Sequence, residues 1–300
     1  MNKYIIQKLL PCILLIFGSC DKEKKYLTDY VNPFIGTGGH GHTYPGASAP
    51  FGMVQLSPDS RLDGWDGCGG YHYSDSIIYG FSHTHLSGTG VSDYGDVLLM
   101  PTTGKLLLNN GADGNPGYSS IFSHKNEIAK TGFYQVYLED YDVNVELTAS
   151  KRAGFHKYTF PNNKSAQVLL DLEHRDKLLD YKIEILDSNT LQGIRYSDSW
   201  ARKQKVHFYI KFSTPFKHII FNNRKSIAGI KFGFVDSPLL IKVGISSVST
   251  DGAKVNLETE IPHWNFEETK SQTNALWEQE LNKIVIEGGS KEQKQIFYTA

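Results

Sequence analysis

Cysteine is scarce in this sequence: there are three in 300 residues, and Cys12 and Cys20 fall in an N-terminal segment that reads as an export signal. That leaves Cys68, so no internal disulfide can brace the mature chain. Excess charge of either sign is also missing, since 31 lysines and arginines face 32 aspartates and glutamates. Nucleic acids and anionic membrane surfaces recruit proteins through clustered basic residues, so this balance excludes both as electrostatic partners and suits a neutral substrate. The basic run Arg202 to Lys205 beside Trp200 reads as a solvated turn. There is no P-loop, no His-Glu-x-x-His and no Gly-x-Ser-x-Gly elbow. Gly36-Thr37-Gly38-Gly39 lacks the strand-to-helix setting of a nucleotide loop, and no period in the sequence suggests a propeller or solenoid.

The apolar run Leu9 to Phe17 is too short to span a bilayer and, flanked by Lys3 and Lys8, suits a signal segment. It ends at Phe17-Gly18-Ser19-Cys20. Small residues directly before a cysteine resemble a bacterial lipoprotein processing site, although phenylalanine stands where leucine is usual. On that reading residues 1–20 are removed and Cys20 carries the lipid that anchors an exported protein, facing the periplasm or the cell surface. A plain secretory signal is the alternative, and either one removes the segment from the fold. Residues 21–27, mostly charged, read as a mobile tether.

From Asp29 to Val248 short β-prone runs alternate with turn residues: Gly132 to Leu138, Val143 to Ala149, Phe155 to Phe160, Val168 to Leu172, Val206 to Phe212 and Leu239 to Ser246. In Val206 to Phe212 the even positions are apolar and the odd ones are His207, Tyr209 and Lys211, which fits a strand with one buried face. This predicts a mainly β, large antiparallel sandwich over 28–262. After Pro262 the pattern turns helical, with a helix over Asn265 to Lys283, a short strand at Ile284 to Glu287, and a second helix from Ser290, its N-cap, to Ala300. Residues 263–300 therefore read as a helical linker.

Fourteen of the 28 glycines lie between Gly36 and Gly95, together with His40, His42, His72, His83, His85 and the acids Asp63, Asp66, Asp93 and Asp96. Glycine lets backbone take up positive φ and approach a ligand closely, at an entropic cost. Taken singly each glycine is explained by turn chemistry; taken together with histidines and acids on loops, the cluster points to a site. In that cluster Trp65 offers a flat apolar face to a ligand, and Asp66 an acceptor for hydroxyl donors. Cys68, between Gly67 and Gly69, either lines this pocket or is a buried inert thiol. His83 and His85, two apart, with His40 and His42 offer a few nitrogens to a transition metal, while calcium would prefer oxygens such as those of Asp93 and Asp96. Hydrogen bonds from these histidines to a ligand or to the loops are the simpler use.

Several motifs in order carry a resemblance. Asp29-Tyr30-Val31-Asn32-Pro33-Phe34-Ile35-Gly36-Thr37, Tyr44-Pro45-Gly46-Ala47 through Pro50 to Asp59, Trp65 to Tyr71, and Gly80 to Gly90 with Asp93 and Asp96 resemble the opening of the glycoside hydrolase family 92 α-mannosidases. Val243 to Ser249 with Ile261-Pro262-His263-Trp264 resembles the exit segment of the same domain. The resemblance implies an N-terminal β-sandwich leading through helices into an (α/α)6 barrel, and inverting exo-hydrolysis of terminal α-mannosides aided by calcium. It places the catalytic acid and base, and the calcium ligands, in the barrel rather than in this chain. To this chain it gives one wall of the sugar subsite, assigned to Gly36, Thr37, Trp65, Asp66, Cys68, His83, His85 and Ser87. A surface lipoprotein that binds carbohydrate without cutting it, and a sandwich that only braces a barrel, are the competing readings.

Overall fold

The computed structural model describes residues 25–300. The proposed signal segment, Cys20 and residues 21–24 of the expected tether lie outside the described residues. Leu27, expected to belong to that tether, instead opens a 3-10 turn over Leu27–Tyr30. Its N–H and that of Thr28 donate to the two carboxylate oxygens of Glu278 at 3.0 and 2.9 Å, so the start of the sandwich is tied to the helices at its far end.

Two antiparallel sheets form the molecule, as the alternating runs require. The first runs β1 (Ala47–Ser48), β2 (Gln55–Asp59), β4 (Gly80–Ser82), β5 (Leu98–Thr102), β11 (Ala166–Asp171), β16 (Ile227–Gly233) and β15 (His218–Phe221). The second runs β12 (Lys177–Asp187), β13 (Thr190–Asp198), β14 (Gln204–Phe212), β17 (Leu239–Ser246), β10 (Ala153–Thr159), β9 (Val143–Ala149), β8 (Phe133–Leu138) and β7 (Glu127–Lys130). A two-stranded ribbon pairs β3 (Ile77–Ile78) with β6 (Ser120–Ile121). Strand period decides which residues meet between the sheets. Val143, Val145, Leu147 and Ala149 of β9, and Val206, Phe208, Ile210 and Phe212 of β14, face Leu99, Val168, Leu170 and Ile230 in one core.

β11 is buried along its whole length because both its faces are covered. On the side away from the sandwich core, residues 103–122 fold over the sheet. Leu106 fills the space above Gly229, where a Cβ would lie 2.5 Å from its Cδ2.

The outer face of the second sheet is covered by α1 (Thr250–Glu260), which forms a second small core of Ala153, Phe155, Tyr209, Ala253, Leu257, Ile261 and Phe266. Tyr209, on the polar face of its strand by sequence, is buried there. No helix is anticipated at α1, because its buried stripe is short and Gly252 sits in its first turn. Ser249 caps it by accepting from Gly252 N at 2.9 Å, and it lies so close to β17 that a Cβ on Gly244 would meet Ala253 O at 2.2 Å.

Helices α2 (Phe266–Leu281) and α3 (Lys291–Thr299) match the two expected ones, α3 with Ser290 as N-cap and Gln293 completing a capping box. The strand expected at Ile284 to Glu287 is not formed. No neighbouring strand offers a ladder there, Ile284 and Val285 are exposed, and Ile286 N donates instead to the Tyr298 hydroxyl at 3.1 Å. Among the described residues no helix is long and apolar enough to cross a membrane.

Candidate functional site

The loop between β2 and β3 carries a short 3-10 turn, Trp65–Gly67, entered through Gly64 at φ 82°, where a Cβ would meet open space. This turn lifts Trp65 out of the fold, leaving it 62% exposed. One side of its indole rests on Gly90: a Cβ there would lie 1.9 Å from Trp65 Cζ3. Its edge meets His42, ring centroids 5.1 Å apart and planes at 77°. Next to it, Asp66 Oδ1 accepts from His40 Nδ1 at 2.6 Å and lies 3.4 Å from His42 Nε2. The hydrogen bond from His40, with the weaker one from His42, holds the Asp66 carboxyl below the usual carboxylate range. The site therefore offers an aromatic plate beside a permanent acceptor, with exposed His40 as a donor or acceptor to a hydroxyl.

Because the indole needs the bare backbone of Gly90, Gly90→Ala is expected to tilt Trp65 off its seat. Stacking contacts of this kind are worth about 0.5–1.5 kcal/mol, so affinity for a ligand stacked on this indole should fall about three- to tenfold with little change in unfolding temperature. Titration followed by Trp65 emission would check it, and equal affinity in the two proteins would count against the contact.

What fixes the loop is an arginine far away in sequence. Arg175 sends Nη1 to Gly67 O at 2.9 Å and to Arg61 O at 3.3 Å, and Nη2 to Cys68 O and, at 3.2 Å, to Asp93 O. One guanidinium thus ties the Trp65 turn to the loop that carries Gly90. Beneath it, Asp59 is fully buried between His85 and His174, each with Nε2 3.2 Å from Asp59 Oδ1. Burial pushes that carboxyl up, but the two imidazoles and their hydrogen bonds outweigh it and hold it well below its ordinary value.

The structure brings Trp65 and Asp66 together at the surface with exposed His40 and buried His42, and treats the other expected site residues differently. His83 is fully buried: its Nδ1–H donates to Val97 O at 2.6 Å and its Nε2 faces His156 Nε2 at 3.0 Å, leaving no ring atom for a sugar. His85 donates from Nδ1 to Gln55 O at 2.8 Å and is taken up with Asp59, so it positions rather than contacts. Cys68 is the buried inert thiol; its Sγ–H donates to Thr89 O, and burial pushes its ionisation up.

Thr37 is buried, with its hydroxyl on Phe34 O at 2.9 Å. Gly36, at φ 88°, is needed for the turn that packs Gly41 against its carbonyl. Ser87 is exposed, but it lines a separate depression of about 300 Å³ with Tyr44, Trp277 and Tyr298. Arg175 and His174 carried no sequence signal, because nothing local marks a residue whose partners in the site lie 82 to 115 positions away.

Calcium does not fit the donors present. Asp93 and Asp96 are buried and committed, Asp93 to the N–H groups of Tyr94 and Ala201, and Asp96 to Thr84, Gln204 and Arg195. Among the described residues the group that converges as metal ligands would is His40, His42 and Asp66. Two imidazoles and one carboxylate lack the six to eight oxygens that calcium takes.

Known proteins share the fold that carries these loops. The profile of the glycosyl hydrolase family 92 N-terminal domain matches residues 30–246, and that of the family's catalytic domain matches residues 252–300. A family GH92 α-mannosidase of Bacteroides thetaiotaomicron, solved in complex with mannoimidazole, superposes with a TM-score of 0.87 at 35% identity, covering 92% of this chain and 39% of that one. An inverting GH92 mannosidase from strain VPI-5482 of the same species superposes at 0.80 with 25% identity, over 92% and 39%. An uncharacterized secreted glycosidase of Arthroderma benhamiae is 25% identical over 87% of this chain and 38% of its own length. The chain thus spans about two fifths of the length of the relatives it matches. On the profile that runs through both sheets, and on these superpositions, the chain belongs to glycosyl hydrolase family 92.

Proposed function

We propose that this chain is the N-terminal part of an inverting, exo-acting α-mannosidase that removes terminal α-mannosides from glycans. It would be exported and held at the membrane by a lipid on Cys20. The observation that carries the reading is the exposed Trp65 plate beside the carboxylate of Asp66, on a family frame whose solved mannosidase relative binds mannoimidazole. Trp65 would stack against the C–H face of the terminal mannose while Asp66 accepts from its hydroxyls, orienting the ring for attack.

The chemistry of inversion needs an acid and a base roughly 6.5–9.5 Å apart, with room for a water. A general acid needs a carboxyl with a raised pKa that faces the substrate. Asp66 is shifted the wrong way for that. Asp171 and Asp176, both pushed up by burial, are enclosed with Tyr118 and Arg195. This supports an acid and base supplied from beyond the present chain. Calcium, which the family implies, finds no fitting donor set among the described residues, so its ligands are sought there too.

The test is release of mannose from a simple α-mannoside by residues 21–300 and by the full-length gene product, each with calcium and with a chelator. Activity is expected in the full-length protein alone, abolished by chelation. There Trp65→Ala should lower kcat/KM about three- to tenfold and Asp66→Asn about ten- to a hundredfold, as loss of a stacking contact and of a charged hydrogen bond in the transition state implies. Mannose release by 21–300 alone would overturn the division of labour and move the search for the acid to this chain.

A further inference from the structure

Two of the four tryptophans are used inside the fold: Trp277 donates to Ser48 O at 2.6 Å, and Trp264 packs under Lys242 Nζ and edge-on to Phe155. The other two are held out at the surface, Trp65 with one side on Gly90 and its edge on His42. Trp65 and Trp200 are 62% and 66% exposed, and neither indole N–H has a partner among the described residues. Exposed indoles of this kind typify surfaces that bind amphipathic ligands.

Trp200 stands at the tip of the β13–β14 hairpin, which is bound to the loop that seats Trp65. Ser199 Oγ donates to Ser92 O at 3.1 Å, and Ala201 N donates to Asp93 Oδ2 at 2.5 Å. Ser92 is two residues from Gly90, so no more than about 7 Å of backbone separates the seat of Trp65 from the mooring of Trp200. The tip is also held from within, with Lys203 N on Asp198 Oδ1 at 3.1 Å and Arg202 paired to Asp198 at 3.6 Å. Arg175, through Asp93 O and Gly67 O, ties both aromatic loops to one guanidinium.

We infer that Trp200 is the platform of a second sugar subsite, which takes a pyranose unit further along the glycan from the terminal mannose at Trp65. A pyranose beyond the terminal one presents the same two chemistries, a C–H face for the indole plane and hydroxyls for its N–H and for Arg202. The inference rests on the proposed mannoside-binding role of Trp65 for the identity of the glycan, and on the shared loop for its direction. Trp200 thereby sets preference for substrate length rather than the chemistry of cleavage.

The experiment is isothermal titration of the full-length protein with α-thio-linked mannose oligosaccharides of one to four units, whose sulfur bridges resist hydrolysis, for the wild type, Trp200→Ala, Trp200→Phe and Trp65→Ala. In the wild type, affinity should rise with length. Trp200→Ala should cut the gain from monosaccharide to tetrasaccharide about three- to tenfold, the worth of one stacking contact, and Trp200→Phe should keep most of it. A Trp200→Ala protein with the wild-type gain overturns the subsite. So does one in which all lengths weaken by the same factor, since that marks Trp200 as a contact with the rest of the protein. Trp65→Ala reads the other claim separately: it should weaken every length alike. If it changes nothing while Trp200→Ala still removes the gain, the Trp65 role fails and the Trp200 subsite stands.

Discussion

Arg195→Met is expected to destabilise the protein by about 3–5 kcal/mol, the usual cost of removing one partner from a buried ionic network. Arg195 is fully buried and bridges two carboxylates from separate parts of the chain. Nη1 donates to Asp96 Oδ1 at 2.6 Å, Nη2 pairs with Asp176, and Nε donates to Leu172 O at 3.0 Å. Methionine fills much of the volume but leaves Asp96 and Asp176 facing each other without water. Asp96 also accepts from Thr84 Oγ1 and Gln204 Nε2, both at 2.6 Å, so its loss of compensation loosens the loop beside the site. Chemical denaturation would measure the change. Adding Asp176→Asn to the Arg195→Met background should recover part of it, because one uncompensated charge is removed. A loss under 1 kcal/mol, or no recovery, would show that the network is not what holds these segments.

Acid should unfold the protein between about pH 6.5 and 4, earlier than carboxylate titration alone would bring. His83 and His156 are fully buried in a neutral chain: the Tyr158 hydroxyl donates to His156 Nδ1 at 2.8 Å, His156 Nε2–H donates to His83 Nε2 at 3.0 Å, and His83 Nδ1–H donates to Val97 O. Burial lowers His83 from 6.5 to about 4, and pushes His156 down in the same direction. Because the folded-state values lie below the unfolded ones, the unfolded chain takes up protons first as pH falls. The stabilisation is therefore complete above pH 6.5 and is lost on the way down to pH 4. For His83 alone this amounts to about 3 kcal/mol at one unit per 1.36 kcal/mol. Asp59, held low, acts in a separate window, losing its contribution only as pH falls below its ordinary value of 3.8. Unfolding free energies measured across pH 7 to 4.5 should have a slope in the wild type that is steeper than in His156→Asn by about 1.4 kcal/mol per unit. Equal slopes would refute the buried neutral pair.

Much of the scaffold was legible because it depends on local periodicity. Val143 to Ala149 and Leu239 to Ser246 are strands with the boundaries their alternation predicts, and Ser290 caps the helix it precedes. The misses have nearby physical causes. The run at Ile284 has strand composition but no edge to pair with, and the helix after Ser249 has too few apolar residues to announce a stripe before β17 supplies the surface it covers.

The site divides in the same way. The sequence alone determined that glycines, histidines, acids and Trp65 share one loop-rich segment, and that the ordered motifs resemble one family, because both are properties of neighbouring residues. Only the tertiary structure decided which of them are drawn inward and which stay at the surface. His83 and His85, two apart and alike in composition, are drawn inward by Val97 O and Asp59, while exposed His40 comes to Asp66 at the surface and His42 packs beside them, itself buried. Whether a histidine is spent inside or left free depends on which buried acceptors the two sheets carry beneath it, and those come from strands and loops far along the chain.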